Sequence, residues 1–201
     1  YAYGEKVHVR WIQSDNIQES NVAEMLKGCD GVLVPGGFGQ RGTDGMKIAI
    51  RYARENQVPY LGICLGMQLA TIEFAENVLG MKKANSTEFD PQTPFPVIDI
   101  LRDQYQGIDM GGTLRLGAYD CDVQADTLAM KCYASPRIQE RHRHRYEFNK
   151  AYQKDFEDHG MVVSGINPEL HVAEIVELKN HPFFVGCQFH PEFTSRTMKP
   201  N

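Results

Sequence analysis

The first half of the chain alternates short apolar segments with segments of helical periodicity. Strands are predicted at Val7–Ile12, Gly31–Val34 and Pro59–Ile63. Helices are predicted at Asn21–Gly28, from Thr43 or Asp44 to about Asn56, and at Leu65–Val78, because apolar residues recur there every three or four positions. Buried strands that alternate with helices are typical of a parallel sheet with helices on both faces.

The second half has a predominantly β pattern. Its predicted strands are Val97–Leu101, Leu114–Val123, His142–Phe148, Met161–Ile166, Val172–Leu178 and Phe183–Phe189. Between them only Lys150–Asp158 has a helical pattern, while Asn85–Pro96 and Arg102–Gly112 are predicted loops. Strands joined without helices add to a sheet in antiparallel fashion. The predicted fold is therefore α/β, a flavodoxin-like open and mostly parallel sheet with added antiparallel strands.

Composition narrows the class of protein. The 201 residues are 42% hydrophobic and 23% charged, which suits one globular domain over 1–201. A net charge of −5 argues against a nucleic-acid partner, and no apolar run reaches the ~20 residues of a membrane helix. The five cysteines contain no C-x-x-C pair, so we predict a reduced, cytoplasmic protein without a metal site. Because Tyr1 is not an initiator methionine, we expect a piece of a longer chain.

The strongest local motif is Gly62-Ile63-Cys64-Leu65-Gly66, at the junction of a predicted strand and a predicted helix. This is the nucleophile-elbow pattern, with glycines where the turn leaves no room for side chains. The positive end of the helix is expected to lower the pKa of the thiol of Cys64 and so favour the nucleophilic thiolate. The alternative is a buried structural cysteine, the usual fate of a free thiol.

A base and an orienting group stand near the end of the chain, in Gln188-Phe189-His190-Pro191-Glu192. His190 follows a predicted strand, and Pro191 stiffens the turn that would aim Glu192 at the imidazole. Histidine can accept a thiol proton and later donate one to a leaving amine. Alone, His190 and Glu192 fit a surface pair, but together with Cys64 they supply a nucleophile, a base and an orienter.

The glycine-rich segment Pro35–Gly42 is predicted to complete an oxyanion hole. Acyl transfer needs two N–H donors, of which the backbone of Leu65 is one, and this segment joins a strand to a helix at the same edge of the sheet. It also matches the dinucleotide fingerprint G-x-G-x-x-G. Pro35 interrupts the junction, however, and the next strand leads into Cys64 where that fingerprint requires an acidic residue, so we reject NAD binding.

Alternating basic residues occupy Arg141–Arg145. In a strand, His142 and His144 share one face and the arginines share the other. The interleaved cations oppose a metal ion, and an arginine here suits a carboxylate clamp.

The segments GICLGMQ (62–68) and QFHPE (188–192) resemble the class I, or triad, glutamine amidotransferases. GGFGQRG (36–42) and RHRHRYE (141–147) are similar to the versions found in the CTP synthase family, and the similarity runs from about Val7 to Arg196. By that resemblance the site residues are Cys64, His190 and Glu192 as catalytic triad, Gly37 and Leu65 as oxyanion donors, and Phe38, Gln68, Glu88 and Arg145 as glutamine ligands.

The resemblance also implies partners. The glutaminase would release ammonia from L-glutamine for a synthetase domain in the same parent chain, which aminates UTP with ATP and Mg²⁺ in a homotetramer. No P-loop motif occurs here, so the synthetase domain and its cofactors are expected outside this chain and none within it. Two alternatives stay open: a catalytically silent regulatory domain, and a stand-alone cysteine hydrolase of γ-glutamyl compounds.

Overall fold

Two sheets organise the part of the chain that the computed structural model describes, residues 4–100 and 114–201. The strands in chain order are β1 (Val32–Val34), β2 (Tyr60–Ile63), β3 (Ala84–Ser86), β4 (Phe95–Asp99), β5 (Arg115–Val123), β6 (Arg137–His144), β7 (Glu147–Phe148), β8 (Met161–Ile166), β9 (Ala173–Leu178) and β10 (Phe184–Cys187). The larger sheet has the order β1-β2-β10-β9-β8-β5-β6, and the smaller one has the order β3-β4-β7.

The α/β fold class is confirmed. β1, β2 and β10 are parallel neighbours, and β9, β8, β5 and β6 extend the sheet with antiparallel pairings. β10 comes from the far end of the sequence yet lies directly beside β2. Because the carboxyl ends of parallel strands meet at one edge, the residues that follow β1, β2 and β10 come together there.

Within residues 4–100 and 114–201, the sheets are accompanied by the α-helices α1 (Val22–Met25), α2 (Thr43–Glu55), α3 (Leu65–Asn77), α4 (Leu128–Tyr133) and α5 (Gln153–Asp158), and by the short 3-10 helices Ser14–Asn16, Lys150–Tyr152 and Pro191–Phe193. α3 is buried from Leu65 to Ala75 and packs against α2 in the main core. A second core cluster contains Ala129 of α4 together with Val185 and Cys187 of β10. Successive residues of a strand point to opposite faces, so both faces of the sheet are covered.

The predicted strand Val7–Ile12 is wrong, because these residues form no strand within the described ranges. Val7, Val9 and Trp11 are exposed, so the apolar side chains of the alternating pattern do not pack on the core. Alternation predicts a strand only when one of its faces packs on a core.

Three further boundaries differ from the sequence-based expectations. α1 is shorter than the predicted helix at Asn21–Gly28. The last two residues of β3 and the first two of β4 lie in the predicted loop Asn85–Pro96, and β6 begins at Arg137 and ends before a separate β7. The predicted loop Arg102–Gly112 lies outside the described residues.

The short helix α4 was not predicted, because six residues give too little periodicity. Side-chain oxygen atoms accept hydrogen bonds from the backbone N–H groups of its first turn. The Thr127 side chain accepts from the N–H of Met130, and the buried Glu177 carboxylate of β9 accepts from the N–H groups of Leu128 and Ala129. A partner 48 residues away in sequence therefore stabilises this helix end.

Candidate active site

Cys64 occupies a strained turn between β2 and α3. Its backbone has φ 50° and ψ −101°. A residue other than glycine adopts this conformation only at a cost of about 1–3 kcal/mol. The flanking glycines are required by close contact. A Cβ built on Gly62 would lie 2.7 Å from the carbonyl carbon of Gly66, and one on Gly66 would overlap the carbonyl oxygen of Val34. The elbow geometry predicted from the motif is therefore present.

The electrostatics of the thiol differ from the expectation. Burial, with a smaller contribution from the carboxylates of Glu147, Glu192 and Glu88, raises the pKa of Cys64 to about 12. The N–H of Leu65, at the start of α3, does favour the thiolate, but burial outweighs it. The prediction that the pKa of the Cys64 thiol is lowered is therefore wrong for the domain without substrate. At neutral pH the resting sulfur is a neutral thiol that needs a base when it attacks.

His190 lies beside Cys64 at the end of β10. Its Nδ1 donates to Oε1 of Glu192 at 2.6 Å, because a carboxylate can only accept, and Nε2 is then left as the basic nitrogen. A Cβ built on Gly36 would lie 2.6 Å from Cε1 of His190 and 3.5 Å from Cβ of Cys64. The loop that follows β1 thus touches both side chains. Cys64, His190 and Glu192 are brought together from two distant segments.

Gly37 and Leu65 are also adjacent. A Cβ on Gly37 would lie 3.1 Å from Cδ2 of Leu65, and the backbone N–H of Leu65 acts to lower the pKa of the Cys64 thiol. The two segments that carry the predicted oxyanion donors therefore meet next to the thiol.

The predicted glutamine ligands fall into two groups. Gln68 is buried, and its Nε2 donates to the carbonyl of Tyr146 at 3.1 Å and to Oε1 of Gln188 at 3.3 Å. Oε1 of Glu88 accepts from the N–H of Gly39 at 3.1 Å, so this carboxylate touches the glycine-rich loop.

The other two predicted ligands, Arg145 and Phe38, are exposed. Phe38 is 92% exposed and points into solvent. Burial raises the pKa of Tyr146, with a further increase from Glu88 and an opposing effect of Arg145, so both charges lie near this ring. An acidic and a basic group thus both act on the Tyr146 ring.

A buried charge network behind the site was missed by sequence reasoning. Arg115 donates to Glu147 at 3.1 Å and to Glu174 at 2.6 Å, and all three side chains are almost fully buried. Burial raises the pKa of Glu147 to about 8, against the opposing effect of Arg115. The sequence carries no signal for this network, because a lone arginine in a strand is ordinarily exposed.

His142 and His144 join the same network. They lie on the buried face of β6 while Arg141 and Arg143 are exposed, as the alternation predicted. Their ring nitrogens are 2.8 Å apart, and burial together with Arg115 lowers the pKa of both, that of His144 to about 3. Both rings are therefore neutral. No group of three or more metal-ligating side chains occurs within residues 4–100 and 114–201.

The residues at this strand edge have the arrangement that cysteine-dependent acyl transfer requires, on an α/β fold. Residues 1–201 match the family model described as glutamine amidotransferase class-I, and the chain belongs to this family. Within the class it corresponds to the glutaminase domain of CTP synthases. A structure of the Trypanosoma brucei CTPS glutaminase domain with bound acivicin has a TM-score of 0.91 and 37% identity, covering 99% of this chain and 78% of that one.

Two curated relatives agree. CTP synthase of Bacillus velezensis is 54% identical over 200 residues, and CTP synthase of Geobacillus kaustophilus is 56% identical over 200 residues. Each alignment covers all of this chain but only 37% and 38% of the relative. The chain thus spans little more than a third of the length of these two relatives. Among the helices of the described ranges, none has the length and apolar character needed to cross a membrane.

Proposed function

We propose that this domain hydrolyses the side-chain amide of L-glutamine through a thioester on Cys64. His190 takes the thiol proton as sulfur attacks the amide carbon, and Glu192 holds the imidazole in the required tautomer. The C–N bond then breaks, His190 gives its proton to the leaving nitrogen, and ammonia departs. Water attacks the thioester with His190 again as base, the C–S bond breaks, and glutamate leaves with Cys64 again a thiol. The observation that carries the proposal is the 2.6 Å His190–Glu192 pair beside an elbow cysteine.

Proton transfer to His190 is central because the thiol is neutral at rest. A cysteine with a pKa of about 12 holds almost no thiolate at pH 7. Attack must therefore coincide with loss of the proton, which makes the base part of the transition state. The N–H groups of Leu65 and Gly37 would then stabilise the oxyanion that develops on the substrate.

Charge complementarity supports the assignment of the substrate ligands. Glu88 suits the α-ammonium of glutamine, and Arg145 suits its carboxylate. Gln68 and Phe38 would line the same pocket. A site with one fixed anion and one fixed cation discriminates a free amino acid from a peptide or a simple amide, because each charge would otherwise lack a partner.

The fate of the ammonia rests on the relatives. We propose that a synthetase domain, outside this chain but in the same parent protein, uses the ammonia to convert UTP to CTP with ATP and Mg²⁺. The parent would be a cytoplasmic homotetramer, as the family resemblance implies. The residues proposed here for glutamine hydrolysis need no cofactor of their own.

Two other functions remain as outcomes of the tests. A silent regulatory domain would bind a partner without turnover, whereas a stand-alone γ-glutamyl hydrolase would also cleave γ-glutamyl amides whose leaving amine is larger than ammonia. The intact set Cys64, His190 and Glu192 argues against the first. A substrate panel that compares glutamine with larger γ-glutamyl amides tests the second, since both kinds of substrate carry the same free amino-acid end.

Labelling with a glutamine-analogue electrophile tests the nucleophile. Diazo-oxo-norleucine should modify Cys64 and spare the other four cysteines, which are Cys29, Cys121, Cys132 and Cys187. Peptide mass spectrometry gives the site. Iodoacetamide is the matched control, since it lacks the amino-acid end and should react first with the exposed Cys132. Equal labelling of all cysteines by the analogue, or ammonia release by a Cys64→Ser variant at the normal rate, would contradict the proposal.

Substitution of Arg145 tests substrate recognition. Arg145→Ala should raise KM for glutamine about 10- to 100-fold and change kcat far less, because a charge-assisted hydrogen bond worth about 1.5–3 kcal/mol is lost in ground and transition states alike. Steady-state ammonia release measures both constants. Arg143→Ala, an exposed arginine two residues earlier, is the control and should leave KM unchanged. If the control variant shows the larger KM, Arg143 is the carboxylate ligand instead.

A further inference from the structure

The imidazole of His190 is stacked on the ring of Phe193. Their centroids are 4.6 Å apart and their planes differ by 8°, so the two rings are almost parallel. Gly36 closes in on the same imidazole, since a Cβ there would lie 2.6 Å from Cε1 and 3.4 Å from Nδ1. The His190 ring is therefore limited by an aromatic face and by backbone, in addition to its hydrogen bond with Glu192.

The hydrogen bond to Glu192 is insufficient to fix this ring. The Glu192 side chain is 49% exposed, whereas that of His190 is 11% exposed. An exposed carboxylate is screened by solvent and moves among rotamers. One hydrogen bond to Nδ1 also leaves the imidazole free to rotate about the line from Nδ1 to the Glu192 carboxylate. A stacked ring removes that freedom, because it opposes any change of the imidazole plane.

Phe193 is itself held in place by its turn. It ends the short 3-10 helix Pro191–Phe193, and its N–H donates to the carbonyl of His190 at 3.1 Å. The N–H of His190 donates to the carbonyl of Arg141 on β6 at 2.8 Å. Oγ1 of Thr194, the next residue, donates to Oε2 of Glu140 at 2.9 Å. The backbone of the turn that carries Phe193 is thus tied to β6 on both sides.

We infer that Phe193 is a positioning residue for the reaction, which fixes the plane of the His190 imidazole and so directs Nε2 to the sulfur of Cys64. This inference rests on the proposed role of His190 as the base. The resting thiol is neutral, so each turnover depends on the alignment of this proton acceptor. A misplacement of about 1 Å in such a group can cost roughly 100-fold in rate.

The test compares Phe193→Leu with Phe193→Tyr in the natural full-length protein. Leucine keeps apolar bulk at this half-exposed position but removes the ring, whereas tyrosine keeps it. Phe193→Leu should lower kcat for ammonia release about 10- to 100-fold with KM within about twofold, as expected for a transition-state effect. Phe193→Tyr should restore kcat to within about threefold of the unmodified protein, on the same reasoning. Thermal unfolding checks that both variants are folded.

A spectroscopic readout follows the stack without using activity. In protein with labelled histidine, the ring-proton resonance of His190, assigned by its loss in His190→Ala, should shift in Phe193→Leu and hold its position in Phe193→Tyr. The expected change in chemical shift is caused by loss of the ring current of the stacked aromatic ring. In Gly36→Ala the added methyl group would press on the His190 imidazole from the loop after β1. This variant should therefore also lower kcat. Its control is Gly31→Ala, where a Cβ meets nothing closer than 3.4 Å.

The outcomes separate this inference from the proposed function. If Phe193→Leu moves the His190 resonance yet leaves kcat unchanged, Phe193 does not position the base, although the proposed triad stands. A rise in KM alone would mean that Phe193 contacts substrate, which also overturns the inference. If His190→Ala retains full turnover, the proposed function itself fails.

Discussion

Replacing His190 with alanine is expected to lower kcat for glutamine hydrolysis by about 100- to 10,000-fold. The reason is the state of the nucleophile. Burial holds the pKa of Cys64 at about 12, so without a base the thiolate must form by ionisation alone. The residual rate of the variant should therefore rise about tenfold for each pH unit between 7 and 10, because the population of thiolate rises by that factor below the pKa.

The measurement is steady-state ammonia release as a function of pH. His159→Ala is the matched control, since His159 is an exposed histidine whose ring contacts the carbonyl of Asp155 on the surface helix α5. It should behave as the unmodified protein does. A His190→Ala variant whose low rate does not increase with pH would show that the thiol is deprotonated by some other group.

Replacing Arg115 with methionine is expected to destabilise the domain by about 3–5 kcal/mol. The substitution keeps most of the volume but removes the cation that faces Glu147 and Glu174 at 3.1 and 2.6 Å. Two carboxylates would then be buried without a charged partner. Arg137→Met is the control, because its ion pair with Asp122 is exposed on both sides and screened by solvent, so its loss should change the stability little.

The destabilisation by Arg115→Met should depend on pH, and its sign follows from the raised pKa of Glu147, about 8. A carboxyl group whose folded pKa lies above its unfolded value favours the folded state at low pH. That contribution is lost as pH rises from about 4.5 to about 8. Without Arg115 the folded pKa of Glu147 should rise further, so the loss of stability should be larger at pH 8 than at pH 5.

Urea unfolding of both variants at pH 5 and pH 8 gives the free energies of unfolding. Glu147→Gln combined with Arg115→Met should recover part of the lost stability at pH 8, since it removes one of the uncompensated charges. An Arg115→Met variant that is as stable as the Arg137→Met control at both pH values would show that the buried network contributes nothing to the fold.

Local features of the site were accessible from the sequence. The elbow at Cys64 depends on two glycines within two residues of it, and the close contacts at Gly62 and Gly66 explain why those positions tolerate no side chain. The alternation across Arg141–His144 assigned the buried and exposed faces of β6 correctly, because side-chain direction in a strand is fixed by a period of two. The predicted bounds of β8 agree with the structure.

Contacts between distant segments were not accessible in this way. The sequence by itself determined the fold class, the elbow and the family, because these depend on short motifs and on local periodicity. Only the tertiary structure decided the protonation of Cys64, the burial of Arg115 and the stacking of Phe193 on His190. Each of these is set by desolvation or by a neighbour on another element, and such effects exist only after β10 and β5 have taken their places in the sheet.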